Sequence, residues 1–168
     1  MLLASHLRLE HLGKQLVEQL AYNIGTMDTG QYLPASHREA MAATVKYEID
    51  EEEFRIVGGE YIWTYELGRG PTVNPGTGAV RRYVKEYIQE EGIAPRGQDR
   101  QGMPIDEDTL AYFISRRIHE SGSKPWRNAQ PTGVISEVIN DKTIEKVEAL
   151  LSEAFTIEIA EFLLAATE

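Results

Sequence analysis

Residues 61–88, YIWTYELGRGPTVNPGTGAVRRYVKEYI, limit the possible folds most because this segment changes character twice. An aromatic, apolar stretch breaks at residues 66–71 and runs into a loop rich in glycine, proline and asparagine. An amphipathic helix is predicted to follow the loop, and residues 110–122, LAYFISRRIHESG, predict another. Neither segment contains a recognisable catalytic constellation.

Apolar residues spaced by three and four predict four main helices, over residues 5–24, 79–91, 110–122 and 141–164. Gly25 is expected to end the first helix. Asp106 and Asp141 are expected to cap the last two, since a carboxylate can accept from the free amides of a first turn. The last helix would reach roughly 35 Å, which is longer than a small core requires.

Alternation of apolar and charged residues from Ala43 predicts two strands, joined through residues 50–52 as a hairpin. Residues 61–65 are expected to begin another strand or a short helix, and residues 134–139 a short strand. Segments 26–37, 93–105 and 121–133 lack a period and are predicted loops. The expected fold is α+β: a small antiparallel sheet, with the hairpin and short strands, packed with about four helices. We expect a single domain over residues 1–168, with helices 5–24 and 141–164 extending from its core.

The charge balance restricts the partners. Lys and Arg total 17 against 27 Asp and Glu, so the net charge is −10. Tight nucleic-acid binding needs clustered cations, so we expect no specific DNA binding; an acidic protein near DNA would let the DNA pass without sticking to it. No cysteine is present, which excludes a disulfide framework and thiolate metal sites. The N-terminus does not resemble a signal peptide, and no apolar run reaches the length of a membrane span.

The glycine-rich loop of residues 68–78, GRGPTVNPGTG, invites comparison with phosphate-binding loops. The ATP-binding loop has Gly-Lys-Ser/Thr entering its helix, whereas Ala79 follows Gly78 here. A structural turn is the favoured interpretation. A small-ligand or nucleotide-binding enzyme that uses this loop is the alternative.

Titratable residues are grouped without the spacing of a known site. Asp50, Glu51, Glu52 and Glu53 are consecutive, whereas a calcium loop spaces its ligands by two. His119 has Ser115 four residues earlier on its helical face, but a third, orienting group is not evident. We therefore expect no catalytic, cofactor-binding or metal site, and no enzyme activity.

Arg116, Arg117, Lys124 and Arg127 form a cationic patch. The patch is either a solvated face or a surface that forms salt bridges with an acidic neighbouring subunit. Trp126 lies beside it in a loop, where the ring could plug its own core or anchor an interface.

The order of these elements resembles the head–tail joining or tail-completion proteins of long-tailed bacteriophages and prophages. The resemblance covers residues 43–144, and its most specific segments are YELGRGPT, AVRRYVKEYIQEEGI and LAYFISRRIHESGSK. Relatives carry a Glu-x-Gly turn and an Ile/Arg/His helix, matched here by Glu66, Gly68, Ile114, Arg117 and His119. The chain departs from the pattern at residues 28–33, which contain one extra residue, and in an expanded loop at residues 95–104.

The resemblance implies a structural virion protein of the phage neck or tail that catalyses nothing. It would be made in the host cytoplasm and would assemble as a homo-oligomeric ring, a hexamer or dodecamer, with other neck, connector or tail proteins as partners. An adaptor module of a bacterial phage-tail-like apparatus is the alternative. A ring needs one surface to dock into a different surface of the next copy. The expected interface residues are Asp50, Glu51, Glu52, Glu53, Glu66, Gly68, Arg69, Gly70, Pro71, Arg116, Arg117, His119, Lys124, Trp126 and Arg127.

Overall fold

The computed structural model describes residues 3–50, 53–73, 78–98 and 101–165. Within these residues the fold is α+β, as predicted, with seven helices and one two-stranded antiparallel sheet. The elements in chain order are α1 (Leu3–Thr26), α2 (Ala35–Ala42), β1 (Lys46–Ile49), β2 (Phe54–Val57), α3 (Tyr61–Leu67), α4 (Ala79–Glu90), α5 (Glu107–Ser121), α6 (Lys124–Asn128) and α7 (Asp141–Ala165).

The predicted hairpin is confirmed. β1 pairs with β2 in a register that places Lys46 opposite Val57 and Ile49 opposite Phe54. The turn residues Glu51 and Glu52 lie outside the described residues. β1 packs against α1, so the sheet covers one side of the N-terminal helix.

The four predicted main helices are confirmed, but two of their ends differ from the prediction. The Asp106 carboxylate accepts from the Thr109 amide at 2.7 Å and caps α5, as expected. α1 continues through Gly25 to Thr26, so Gly25 does not end it. Asn140, not Asp141, caps α7: its Oδ1 accepts from the Thr143 amide at 3.2 Å, while Asp141 is already the first helical residue.

Of the two structures expected for residues 61–65, the short helix is confirmed, as part of α3. Three other segments correct the expectations. Residues 134–139 form a hydrogen-bonded turn instead of a strand. Two short helices, α2 and α6, occupy parts of the segments predicted as loops. Each has a proline close to its start: Pro34 is the residue before α2, and Pro125 lies in the first turn of α6. Proline favours a helix start because its fixed φ suits the first turn and its missing amide has no intrahelical acceptor there.

The main core lies where α1, α2, β1 and α3 meet the turn before α7. Its buried members are Leu20, Ile24, Met41, Val45, Ile62, Tyr65, Val134 and Val138. Helix periodicity places the members from α1 and α3 in the core, whereas Val134 and Val138 come from the turn. The turn before α7 is therefore part of the core.

A second, smaller core lies between α4 and α5, built from Val84, Ile88, Ala111 and Ile118. Aromatic contacts join this helical pair to the main body. The ring of Tyr32 meets that of Tyr87 edge-on at 5.6 Å, and the imidazole of His37 meets the Tyr83 ring at 4.4 Å.

Helix α7 runs back along α1 in the opposite direction. Near the start of α7, the Asn23 amide donates to the Val134 carbonyl at 3.4 Å. Farther along, the Arg8 guanidinium pairs with the Glu153 carboxylate at 2.7 Å, near the other end of α1. Of the helices described, none is long and apolar enough to cross a membrane.

The two glycines inside α1 should respond oppositely to Gly→Ala. A Cβ at Gly13 would lie 2.6 Å from Cγ of Tyr47, so we expect Gly13→Ala to lower the free energy of unfolding by about 1–3 kcal/mol. A Cβ at Gly25 meets nothing within 4 Å, so Gly25→Ala should raise it by up to about 1 kcal/mol through helix propensity. Urea denaturation of both variants measures the difference. Equal changes in the two would contradict the close packing of α1 on β1.

Candidate functional site

The side chain of Glu66 is the most strongly constrained polar group at the centre of the molecule. Helix α3 directs it inward, and it is only 2 % exposed. One carboxylate oxygen accepts from the Thr132 hydroxyl and the Ile135 amide, each at 3.0 Å. The other accepts from the Ser136 amide at 3.2 Å. Because these donors all come from residues 132–136, the carboxylate fixes α3 to the turn that leads into α7.

Two opposing effects act on the pKa of Glu66. Burial raises it by disfavouring the charged form, and the hydrogen bonds from Ile135, Ser136 and Thr132 lower it. The hydrogen bonds together outweigh burial, so the pKa lies below its usual value of 4.5. The folded protein therefore holds Glu66 as a carboxylate at neutral pH.

Two residues after Glu66, the backbone at the end of α3 comes close to the backbone at the end of α5, and we call this contact the glycine junction. Gly68 ends α3 and Gly122 ends α5, both with a φ of +81°. A Cβ at Gly68 would lie 2.5 Å from the Trp126 amide nitrogen, and one at Gly122 would lie 2.8 Å from the Arg69 carbonyl oxygen. Both the backbone conformation and the close approach therefore require glycine.

Ser123 completes this junction. Its amide donates to the Arg69 carbonyl, and its hydroxyl accepts from the Arg69 amide, both at 2.8 Å. Trp126 lies over the junction: its ring is 3.2 Å from the position of a Cβ on Gly70, yet 52 % of the residue is exposed. One side of the Trp126 ring therefore packs on its own chain, and about half of the residue stays exposed. Pro71, the next residue after Gly70, is exposed.

Thr72 and His119 join the same loop to α5. The Thr72 hydroxyl lies 2.6 Å from Nδ1 of His119, and the Thr72 amide donates to the His119 carbonyl at 2.9 Å. A hydroxyl beside an imidazole is the first half of a nucleophile–base pair, which also needs a group that orients the base. Among the described residues, no hydrogen bond reaches Nε2 of His119, and the hydroxyl of Ser115 donates instead to the Tyr112 carbonyl. The pair therefore acts as a link between the loop and α5.

The electrostatics of this link depend on Arg69. Burial lowers the pKa of His119 below 6.5, and the nearby Arg69 guanidinium lowers it further. Both effects favour the neutral imidazole, which can accept from the Thr72 hydroxyl.

The acidic hairpin end is organised around one arginine. The Arg55 guanidinium lies 3.0 Å from Asp50, 3.2 Å from Glu53 and 3.9 Å from Glu48. All four side chains are about half exposed, so each pair contributes little to stability. This part of the expected interface is already partly neutralised within its own chain.

The expected interface residues at positions 66–71 and 116–127 differ in how far they are exposed to solvent. Glu66 and Gly68 are buried under their own chain and present no surface to a neighbour. Arg116 is exposed but pairs with Glu120 one turn later, at 2.7 Å. Across the described residues, the remaining basic members form no salt bridge: Arg69, Arg117, Lys124 and Arg127.

The glycine-rich loop does not follow a strand. Helix α3 precedes it, whereas the ATP-binding loop connects a strand to a helix. Residues 74–77 of the loop lie outside the described residues. A shallow cleft of roughly 440 Å³ lies elsewhere, lined by Lys85, Gln89, Pro95, Ile105, Asp106, Glu107 and Asp108. In the parts of the chain that the structure describes, no three His, Asp or Glu side chains converge as metal ligands.

Sequence reasoning missed the Glu66 carboxylate as a buried acceptor and the partners Thr132 and Thr72. A signal existed for Glu66, because it is the one charged residue in the run YIWTYEL. The signal for Thr72 and Thr132 was absent, since each lies far in sequence from the group that it contacts.

Comparison of the chain with protein-family models, with curated proteins and with solved structures finds no match.

Glu66 should make stability depend on pH. A carboxyl group with a depressed pKa stabilises the fold fully above its unfolded-state pKa, and this stabilisation is lost as the pH falls through the folded-state pKa. We expect Glu66→Gln to lower the free energy of unfolding by about 2 kcal/mol at pH 7, because the amide NH2 that replaces one carboxylate oxygen cannot accept a hydrogen bond. The difference from wild type should narrow as the pH falls from 5 to 3.

Urea denaturation across this pH range measures both effects. Glu60→Gln removes an exposed charge at the start of the same helix and should change stability by less than about 0.5 kcal/mol. A Glu66→Gln variant as stable as wild type at pH 7 would show that the buried hydrogen bonds contribute nothing net.

The pKa of His119 should respond to Arg69 alone among the neighbouring arginines. NMR titration of wild type should give a value below 6.5, and Arg69→Met should raise it because a like charge is removed. Arg117→Met, on the same helix as His119, is the control and should leave the value unchanged. An unchanged pKa of His119 in the Arg69→Met variant would contradict the arrangement around Thr72.

Proposed function

We propose that this chain is a structural protein of the phage neck or tail, a head–tail connector or tail-completion component. It assembles as a ring with copies of itself and lets DNA pass without catalysis. The proposal rests on the sequence resemblance, which covers residues 43–144, and on a surface of helix α7 that suits assembly.

The observation that carries the assembly role is an apolar stripe on the second half of α7. Phe155, Ile159 and Phe162 follow each other at spacings of four and three and are 53 %, 59 % and 72 % exposed. An adjacent side of the helix packs on α1 through Ala154, which is fully buried. Contiguous large apolar side chains on a protein surface mark an interaction site.

The polar groups support a structural role as well. Glu66 and Ser123 are buried and hydrogen-bonded to their own chain, and Thr72 and His119 bond to each other. Groups engaged in this way hold loops and helices together. The charge of −10 also suits a protein close to passing DNA, because like charges repel.

The proposal predicts a defect in particle assembly. An amber mutation in the gene should leave heads and tails unjoined, or tails incomplete, in negative-stain micrographs of a lysate. Expression of the wild-type chain from a plasmid should restore infectious particles, and mass spectrometry of those particles should detect the chain. Normal yields of infectious particles without the chain would refute the proposed function.

A further inference from the structure

The α7 stripe, defined as Phe155, Ile159 and Phe162, has acidic flanks. Glu148 lies seven residues before Phe155, on the same side of the helix, and Glu145 lies one turn earlier. Neither carboxylate forms a salt bridge within residues 3–50, 53–73, 78–98 and 101–165. The stripe therefore suits a surface that combines apolar rings with cations.

Such a surface exists on the same chain, at the contact between α3 and α6. Trp63 and Leu67 are four residues apart on the outer face of α3 and are 62 % and 50 % exposed. Leu67 precedes Gly68, which touches the backbone of Trp126 in α6. These three side chains form the aromatic patch.

Three cations lie close in sequence to the aromatic patch. Arg69 is two residues after Leu67, Lys124 is two residues before Trp126, and Arg127 directly follows Trp126. None of the three forms a salt bridge in the described part of the chain, although Arg69 donates to the Thr72 hydroxyl and Arg127 to the Gly122 carbonyl. Near α3 the patch has an acidic neighbour, Glu60, at the start of the helix. The positive charge is therefore concentrated on the α6 side of the patch, where Lys124 and Arg127 lie. In a chain with a net charge of −10, this local excess of cations matches the acidic flanks of the α7 stripe.

We propose that the α7 stripe of one copy docks on the aromatic patch of the next copy. This inference rests on the proposed function and assigns the two surfaces of its ring contact. Pairing two α7 stripes in parallel would bring Glu145 and Glu148 of both copies together, which like charges disfavour. A contact between two different surfaces continues from copy to copy and closes into a ring when the rotation allows.

The test uses one variant for each surface. Phe162→Glu alters the stripe, and Trp63→Glu alters the patch, in both cases at a side chain more than half exposed. Tyr22→Glu, at a 64 % exposed aromatic residue on α1, is the control with the same change in charge. Circular dichroism and thermal unfolding of each variant confirm that it is folded.

Analytical ultracentrifugation at about 100 μM gives the readout. Wild type and Tyr22→Glu should form oligomers, while each surface variant should weaken self-association roughly 30-fold, as loss of a central interface anchor does. An equimolar mixture of Phe162→Glu and Trp63→Glu should form a species of two chains, because each partner still offers one intact surface. The monomer mass for comparison is 18.9 kDa.

Three results would overturn the inference. The first is a wild-type protein that remains monomeric. The second is a folded surface variant that still forms oligomers as wild type does. The third is an equimolar mixture that stays monomeric. These outcomes are independent of the amber mutant. If that mutant fails to join heads and tails while the mixture stays monomeric, the proposed function stands and the two assigned surfaces are wrong.

Discussion

The carboxylate of Glu66 fixes the middle of the chain to the turn that leads into the last helix. Burial at this depth disfavours a charge, and only donors held in place can offset that cost. The turn at residues 132–136 supplies them through its backbone amides and the Thr132 hydroxyl. The same turn buries Val134 and Val138 in the main core and then becomes α7. The Glu66 carboxylate thereby helps to position a 25-residue helix that also packs along α1.

The glycine junction beside Glu66 sets the other half of the arrangement. Gly68 and Gly122 let the end of α3 approach the start of α6 at backbone distance, which places Trp126 over Gly70. The outer face of α3 and the ring of Trp126 therefore belong to one surface region. The turn that Glu66 binds leads into α7, and α7 also packs along α1, so its stripe lies at a fixed position relative to that region. Assembly into a closed ring requires such fixed geometry between the two docking surfaces.

Much of the fold could be predicted from local patterns, and the remainder depends on contacts distant in sequence. Apolar periodicity predicted α1, α4, α5 and α7, and alternation predicted the hairpin, since both patterns reflect which side faces a core. β-Branched residues misled at 134–139, where Val134 and Val138 pack into the core from a turn. The candidate site was harder to predict from the sequence than the fold. The sequence pointed to its arginines and Trp126, but Thr72 and His119 are 47 residues apart, and no local pattern indicates that they pair.

The most direct test of this account measures the distance between α3 and α7 with and without the Glu66 carboxylate. Because the chain contains no cysteine, spin labels can be attached at Thr64→Cys and Ser152→Cys, two exposed positions on these helices. Double electron–electron resonance should give one narrow distance distribution at pH 7 and a clearly broader one when Glu66→Gln is added. An equally narrow, unshifted distribution in the Glu66→Gln protein would show that another contact positions α7.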